Sequence, residues 1–299
     1  MLKPAPIYDL HLVLHPDQDT SYVHFQDAAA HPFNATATAV PRVNVWWLAE
    51  AALASYWKTG MAEGLFQQGG LTAEYVAMDS TDCYVAHSAN AAIVAFRGTE
   101  PDEWKDVLTD VQLAQVPWDA GQVHKGFADA LDAIWPVLKP KIDALAPRPI
   151  WFCGHSLGAA LATLAAYRHG ANTGGVCTFG SPRVGNRAFA TAFNARLGGR
   201  SLRYVNHHDV VTHVPTPASL LWIYQHVDPR RTIAANGVIS GAAPSVPHFF
   251  GDLIGRPAVL LEWIEGLRHG TLTLAPQFML DHMPKAYAIW TWNDFDQNG

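Results

Sequence analysis

The segment 150–170, IWFCGHSLGAALATLAAYRHG, sets a serine between two glycines where an apolar run gives way to a helix-forming one. A serine hydroxyl is a poor nucleophile unless a histidine takes its proton and an acid orients that histidine. A hydrolase places such a serine on a tight turn between a buried strand and a helix, with glycines where bulk would clash. Here Pro149–Cys153 reads as the strand and Ala159–Arg168 as an Ala/Leu-rich helix, with Gly154 and Gly158 flanking the turn. The five-residue pattern alone is short enough to arise by chance. The strand before it and the helix after it make Ser156 a candidate nucleophile, because a helix starting there aims backbone N–H groups and its positive end at a developing oxyanion.

In folds of this type the partners follow the serine in the order acid, then histidine. The acid belongs just beyond a later strand, and Asp209 in RYVNHHDVVTHVP has that position. Asp228 is its competitor, but it stands in VDPRR, where Asp-Pro is ordinary turn chemistry. His213, His226, His248, His269 and His282 all follow Asp209, and spacing alone does not separate them. His282 comes last, in DHMPKAYAIW just before a helix, which suits a loop returning across the carboxyl edge of a sheet.

The elements that must position these residues can be read in outline. Residues 1–40 are polar, with prolines and histidines, and carry no clear period. The periodicity of 42–58 predicts a helix stopped near Gly60, and 73–78, 83–88 and 91–96 read as strands parted by short turns. Helices are expected over 102–113, 126–146 and 187–197, and strands over 175–180 and 201–206. Alternating helix and strand through this region implies crossover connections and a parallel sheet. Residues 221–227 read as a further strand, 236–258 as a Gly/Pro-rich loop, and 259–268 and 284–291 as helices. No repeat, low-complexity tract or linker interrupts the chain, so one α/β domain over 1–299 is expected.

Bulk composition narrows the function classes. Nearly half of the 299 residues are apolar and 15% are charged, enough for a large core and against disorder. A formal charge of −6 with no basic block gives no footprint for nucleic acid. The three cysteines form neither a disulfide framework nor a CxxC metal pattern, and Cys153 and Cys177 sit in strand-like apolar runs. The first residues, MLKPAPIYDLHLVLHP, lack the apolar stretch and cleavage site of a Sec signal. No run is long enough for a membrane span. The expected location is therefore cytoplasmic, or that of a mature or otherwise secreted form. The sequence sets no oligomeric state.

Through these residues the chain resembles the class 3 lipases, the fungal triacylglycerol lipase family of α/β-hydrolases, from about residue 45 to 290. The likeness rests on motifs in order: IVAFRGTE (93–100), VHKGF (123–127), FCGHSLGAALA (152–162), TFGSPRVGN (178–186), NHHDVVTHVP (206–215) and DHMPKAY (281–287). It implies an α/β-hydrolase fold, a central and mostly parallel sheet flanked by helices, with Ser156 as nucleophile, Asp209 as acid and His282 as base. It further implies an oxyanion hole from Thr99, in the FRG(S/T) position, and the Leu157 N–H. A lid is implied over 99–113, where Trp104, Val107, Leu108 and Val111 form one apolar stripe at i, i+3, i+4 and i+7 and acidic residues cover the opposite side. Gly126 and Gly180 read as tight approaches, Asn186 as a helix cap, and His124 as a structural histidine near the pocket.

The expected activity is hydrolysis of carboxylic esters, acylglycerols first, through an acyl-enzyme, with no metal or cofactor. The expected partners are a lipid or other ester substrate and a lipid–water interface. A phospholipase A1 or feruloyl-type esterase, a transacylase with the same triad, and a silent lipid-binding domain are the alternatives. Three departures from the fungal members stand out: no disulfide-forming cysteines, no secretion signal, and an inserted Gly/Pro-rich and helical segment at about 236–275. The first two suggest a bacterial or intracellular relative, and the third alters the expected pocket.

Overall fold

A computed structural model of the protein describes residues 1–98, 114–215, 223–241 and 276–299. In chain order these hold α1 (Leu10–Leu14), α2 (Arg42–Ala54), α3 (Ala62–Gln68), β1 (Thr72–Met78), β2 (Thr81–His87), β3 (Ala92–Phe96), β4 (Gln115–Pro117) and β5 (Gln122–His124). Then come α4 (Lys125–Asp143), β6 (Ile150–His155), α5 (Leu157–His169), β7 (Thr173–Phe179), α6 (Arg187–Leu197) and β8 (Ser201–Asn206). β9 (Arg230–Ile233), β10 (Ile239–Ser240), α7 (Gln277–Leu280) and α8 (Pro284–Asn298) complete the series.

The main sheet runs β1-β2-β3-β6-β7-β8-β9-β10, and β4 and β5 form a separate hairpin. From β3 through β9 every neighbour is parallel, while β1, β2 and β10 add antiparallel edges. Strands β6 and β7 are buried along their whole length, as central strands of a sheet covered on both faces must be. The period-2 alternation divides them between two cores. Trp151, Cys153, Cys177, Phe179 and Tyr204 pack toward α2 and α8. Ile150, Phe152, Val176, Val94 and Phe96 pack toward α4, α5 and α6. α4 turns one apolar stripe to the second core, Phe127, Leu131, Ile134, Leu138 and Ile142, at helical spacing. α5 is buried almost all round, which its run of alanines and leucines permits. The three cysteines are free and buried.

Two sequence expectations are corrected. The expected strand 221–227 does not join the sheet over its described part: Gln225 bridges to Gly185, and Arg230–Ile233 pairs with β8 instead. Arginines in RRTI mask that strand from a hydrophobic reading, whereas Tyr224 and Val227 are apolar because they turn inward from a loop. The helix expected to end at 146 stops at Asp143. The helix expected over 259–268 lies outside the described residues.

The segment before α2, patternless in sequence, wraps α2 and α8 around one buried carboxylate. Glu50 is fully buried; its Oε1 accepts from Lys3 Nζ (3.1 Å), Tyr22 Oη (2.7 Å) and Trp46 Nε1 (3.1 Å), and its Oε2 from the Phe25 N–H (3.2 Å). His24 Nδ1 stands 3.6 Å from Oε2. Burial alone would raise its pKa, but the Lys3 charge with His24 and Tyr22 overrides that and holds the carboxyl at about 2. Four histidines go the other way, His124 and His155 buried and His213 and His226 half-buried. Burial lowers His124 and His213 to about 4 and drives His155 and His226 well below the ordinary 6.5.

Acid should therefore act in two stages. Between about pH 6.5 and 4 the unfolded chain binds protons that these histidines refuse, so stability falls as pH falls. The Glu50 contribution is intact above about pH 4.5 and is lost as pH drops toward about 2. Calorimetric melting from pH 8 to 3 should show both stages. Glu50→Gln should lose about 3 kcal/mol at neutral pH by stranding Lys3, and should flatten the lower stage alone. A wild-type pH dependence below 4.5 in that variant contradicts the account.

Candidate active site

Ser156 occupies the single step between β6 and α5, with φ 58° and ψ −128°. A residue with a Cβ enters this region at a cost of about 1–3 kcal/mol, so the surroundings must impose it. The two flanking glycines are how they do so. A Cβ on Gly154 would lie 2.3 Å from the carbonyl carbon and oxygen of Gly158, and one on Gly158 would lie 2.3 Å from the Phe96 carbonyl oxygen. α5 therefore starts pressed against the ends of both β6 and β3. The Ser156 N–H donates to the Phe179 carbonyl (3.0 Å), and its own carbonyl accepts from the Ala159 N–H (3.0 Å). Leu157 is the first residue of α5, so its N–H lies in the first turn, at the positive end of the helix.

Asp209 and His282 meet beside this corner. Asp209, fully buried past the end of β8, takes His282 Nδ1 at 2.9 and 2.8 Å from its two carboxylate oxygens. Its Oδ1 also accepts from the Val211 N–H (2.9 Å) and its Oδ2 from the Tyr287 hydroxyl (2.5 Å). Tyr287 accepts in turn from the Asn206 N–H (3.0 Å), so α8 is tied to the strand end that carries the acid. A carboxylate so supplied with donors is held in one orientation.

His282, also fully buried, lies between α7 and α8. The Asn206 side chain donates to the carbonyl of Asp281, next to it in the chain (2.8 Å), and the Asp281 carboxylate takes His207 Nδ1 (2.9 Å) and the His208 N–H (3.0 Å). Gly180 backs the whole pair: a Cβ there would lie 2.7 Å from Asp209 Oδ2 and 2.9 Å from His282 Nδ1. Its φ of +59° also excludes ordinary side chains.

The structure thus gathers Ser156, Asp209 and His282 at the carboxyl ends of β6, β7 and β8. The other candidates go elsewhere. His226 Nε2 is occupied by the Thr212 carbonyl (2.7 Å), and the His213 carbonyl accepts from Arg183. Asp228 stays in its turn, bonded through its backbone to Asn194 and Ser201. His124 is buried and stacked on Phe127 at 4.2 Å, a structural histidine as expected, and Asn186 caps α6 through the Phe189 N–H (3.0 Å). His248, His269, Thr99 and the stripe Trp104, Val107, Leu108 and Val111 lie outside the described residues. Sequence reasoning assigned no role to Tyr56, His155 or Tyr287. The last had a signal, its position five residues after His282, where a helix start brings it back beside the acid.

Among the described residues no cluster of His, Cys, Asp or Glu is arranged to hold a metal, and no helix is long and apolar enough to cross a membrane. Comparison with known proteins finds lipases among the similar chains. Residues 93–219 match the family described as lipase (class 3). The matched stretch makes up less than half of the chain. It contains Ser156 and Asp209 and ends before His282. The secreted mono- and diacylglycerol lipase A of Penicillium cyclopium is 29% identical over 190 residues, covering 61% of this chain and 58% of that one. The chloroplastic phospholipase A(1) DAD1 of Arabidopsis thaliana is 47% identical over 74 residues, 23% of this chain and 16% of that one. The chain therefore spans from about a sixth to under two thirds of these relatives' lengths. The crystal structure of a mono- and diacylglycerol lipase from Aspergillus oryzae superposes with a TM-score of 0.54 at 25% identity, covering 65% of this chain and 80% of that one. The architecture is that of these lipases, an α/β-hydrolase fold.

Gly180→Ala is expected to displace the Asp209–His282 pair. A shift of about 1 Å at reacting groups costs on the order of 10²-fold. Hydrolysis of a soluble p-nitrophenyl ester should fall by that order, in a protein whose far-ultraviolet circular dichroism is unchanged. Wild-type turnover in Gly180→Ala would mean that the site does not depend on this backing.

Proposed function

We propose that the chain is a serine carboxylic-ester hydrolase, acting first on acylglycerols, within one α/β-hydrolase domain over 1–299. The observation that carries this reading is the strained Ser156 in the same corner as a buried Asp209–His282 pair. In this mechanism His282, oriented by Asp209, takes the Ser156 proton as Oγ attacks the ester carbonyl. The Leu157 and Thr99 N–H groups bind the oxyanion, and His282 then protonates the departing alcohol. Water, deprotonated by His282, attacks the acyl-enzyme and releases the acid. The segment 99–113 acts as a lid, its Trp104, Val107, Leu108 and Val111 stripe covering the site in water and turning toward lipid at an interface.

The relative named a mono- and diacylglycerol lipase supports the acylglycerol choice. The local likeness to a phospholipase A(1), 47% over 74 residues, favours a phospholipid as second reading.

Ser156→Ala and His282→Ala should each lower p-nitrophenyl butyrate turnover by at least about 10⁴-fold while the protein stays folded. Turnover that persists in Ser156→Ala removes the serine mechanism. Tributyrin and phosphatidylcholine measured side by side separate the two substrate readings. Tributyrin rates followed across the solubility limit should jump if the lid acts, and a smooth hyperbola counts against it.

A further inference from the structure

One buried pair outside the residues used above touches the proposed base. Tyr56, two residues past α2, places its hydroxyl 2.8 Å from His155 Nδ1. The His155 ring lies 4.3 Å from the His282 ring, centroid to centroid, inclined at 36°. It lies 5.6 Å from the Tyr287 ring, whose hydroxyl is on Asp209. Tyr56 reaches a second part of the site as well. A Cβ on Gly98 would lie 2.0 Å from the Tyr56 hydroxyl oxygen and 2.7 Å from the His155 carbonyl oxygen, so the tyrosine braces the residue that precedes Thr99.

His155 is buried, and that burial first, then the His282 charge, keeps its pKa well below the ordinary value, against the pull of the His282 carbonyl. It therefore stays neutral when His282 takes up a proton. A neutral aromatic face beside a cation attracts it, where a second cation would repel it.

We infer that Tyr56 and His155 are a positioning pair: the Tyr56 hydroxyl fixes the His155 ring, and that ring holds His282 against Asp209 and favours its protonated form. This rests on reading His282 as the base. Among the described residues the titratable groups around His282 are His155 from β6, Asp209 after β8 and Tyr287 from α8. Tyr56 joins them through His155, and Arg97 and Asp82 act on Tyr56 from farther away.

The test is steady-state hydrolysis of p-nitrophenyl butyrate below its solubility limit, from pH 5 to 9. The proteins are wild type, Tyr56→Phe, His155→Phe, His155→Leu, Tyr56→Phe/His155→Leu and His282→Ala. Tyr56→Phe and His155→Leu should lower kcat roughly tenfold with KM within about twofold. Loss of the ring face makes protonated His282 less favourable, so the acid limb of kcat in His155→Leu moves to lower pH. His155→Phe, which keeps a ring, should retain more activity than His155→Leu. Adding Tyr56→Phe to His155→Leu should cost nothing more. Wild-type kcat and an unmoved acid limb in Tyr56→Phe and His155→Leu overturn the inference, as do additive losses in the double variant. If His155→Leu does not fold, Tyr56→Phe and His155→Phe decide alone: reduced kcat at constant KM supports the pair, and wild-type kcat rejects it. Activity retained in His282→Ala would remove the base assignment itself. Its loss, with unaffected Tyr56→Phe and His155→Phe, would remove the positioning pair alone.

Discussion

Two backbones meet between β6 and α5 with no room for a Cβ on either, and the geometry of the corner depends on that contact. Gly154 against Gly158, and Gly158 against the carbonyls of Phe96 and Arg97, bring the end of β3 and the start of α5 side by side. Ser156 then has one backbone conformation available, and the packing around it supplies the energy that its φ of 58° costs. The same contact places the first turn of α5 next to the strand end that leads to Thr99. The Ser156 turn and the Leu157 N–H are thus set by main-chain packing before any side chain is chosen.

Two buried carboxylates show how this chain separates stability from chemistry. Glu50 is satisfied by a cation and several donors drawn from the first 50 residues, and it fastens that stretch to α2. Asp209 has neither Lys nor Arg against it among its described bonds; its donors are an amide, a phenol and an imidazole. A permanent cation there would satisfy the acid without help from His282. Leaving that place to an imidazole makes the pairing sensitive to the protonation of His282, as the acid–base role proposed for it needs.

The sequence made the local features legible and hid the long-range ones. The turn at Ser156, the Asn186 cap and the parallel core follow from short-range rules of spacing, glycine placement and period, and the described structure has them; spacing left five histidines open after Asp209, and only the resemblance to a family singled out His282. Strand β9 was hidden because its half-buried arginines break the apolar pattern, while the inward-turning loop before it imitated a strand. The wrapping of residues 1–40 has no period because its contacts are single anchors, Lys3 to Glu50 and Tyr8 to Asn206, each set by a distant partner. Tyr56 and His155 are 99 positions apart, so no local pattern could have joined them.

The bonds that hold Asp209 and His282 span long stretches of chain: 73 positions between the two, 78 from Tyr287 to Asp209, and 75 from Asn206 to Asp281. Closing loops of that length costs chain entropy that nothing nearby returns until α8 has docked. The Asp209–His282 pair thus depends on α8 docking against the end of β8. In the proposed mechanism, activity at this corner therefore reports that the far end of the sequence has docked.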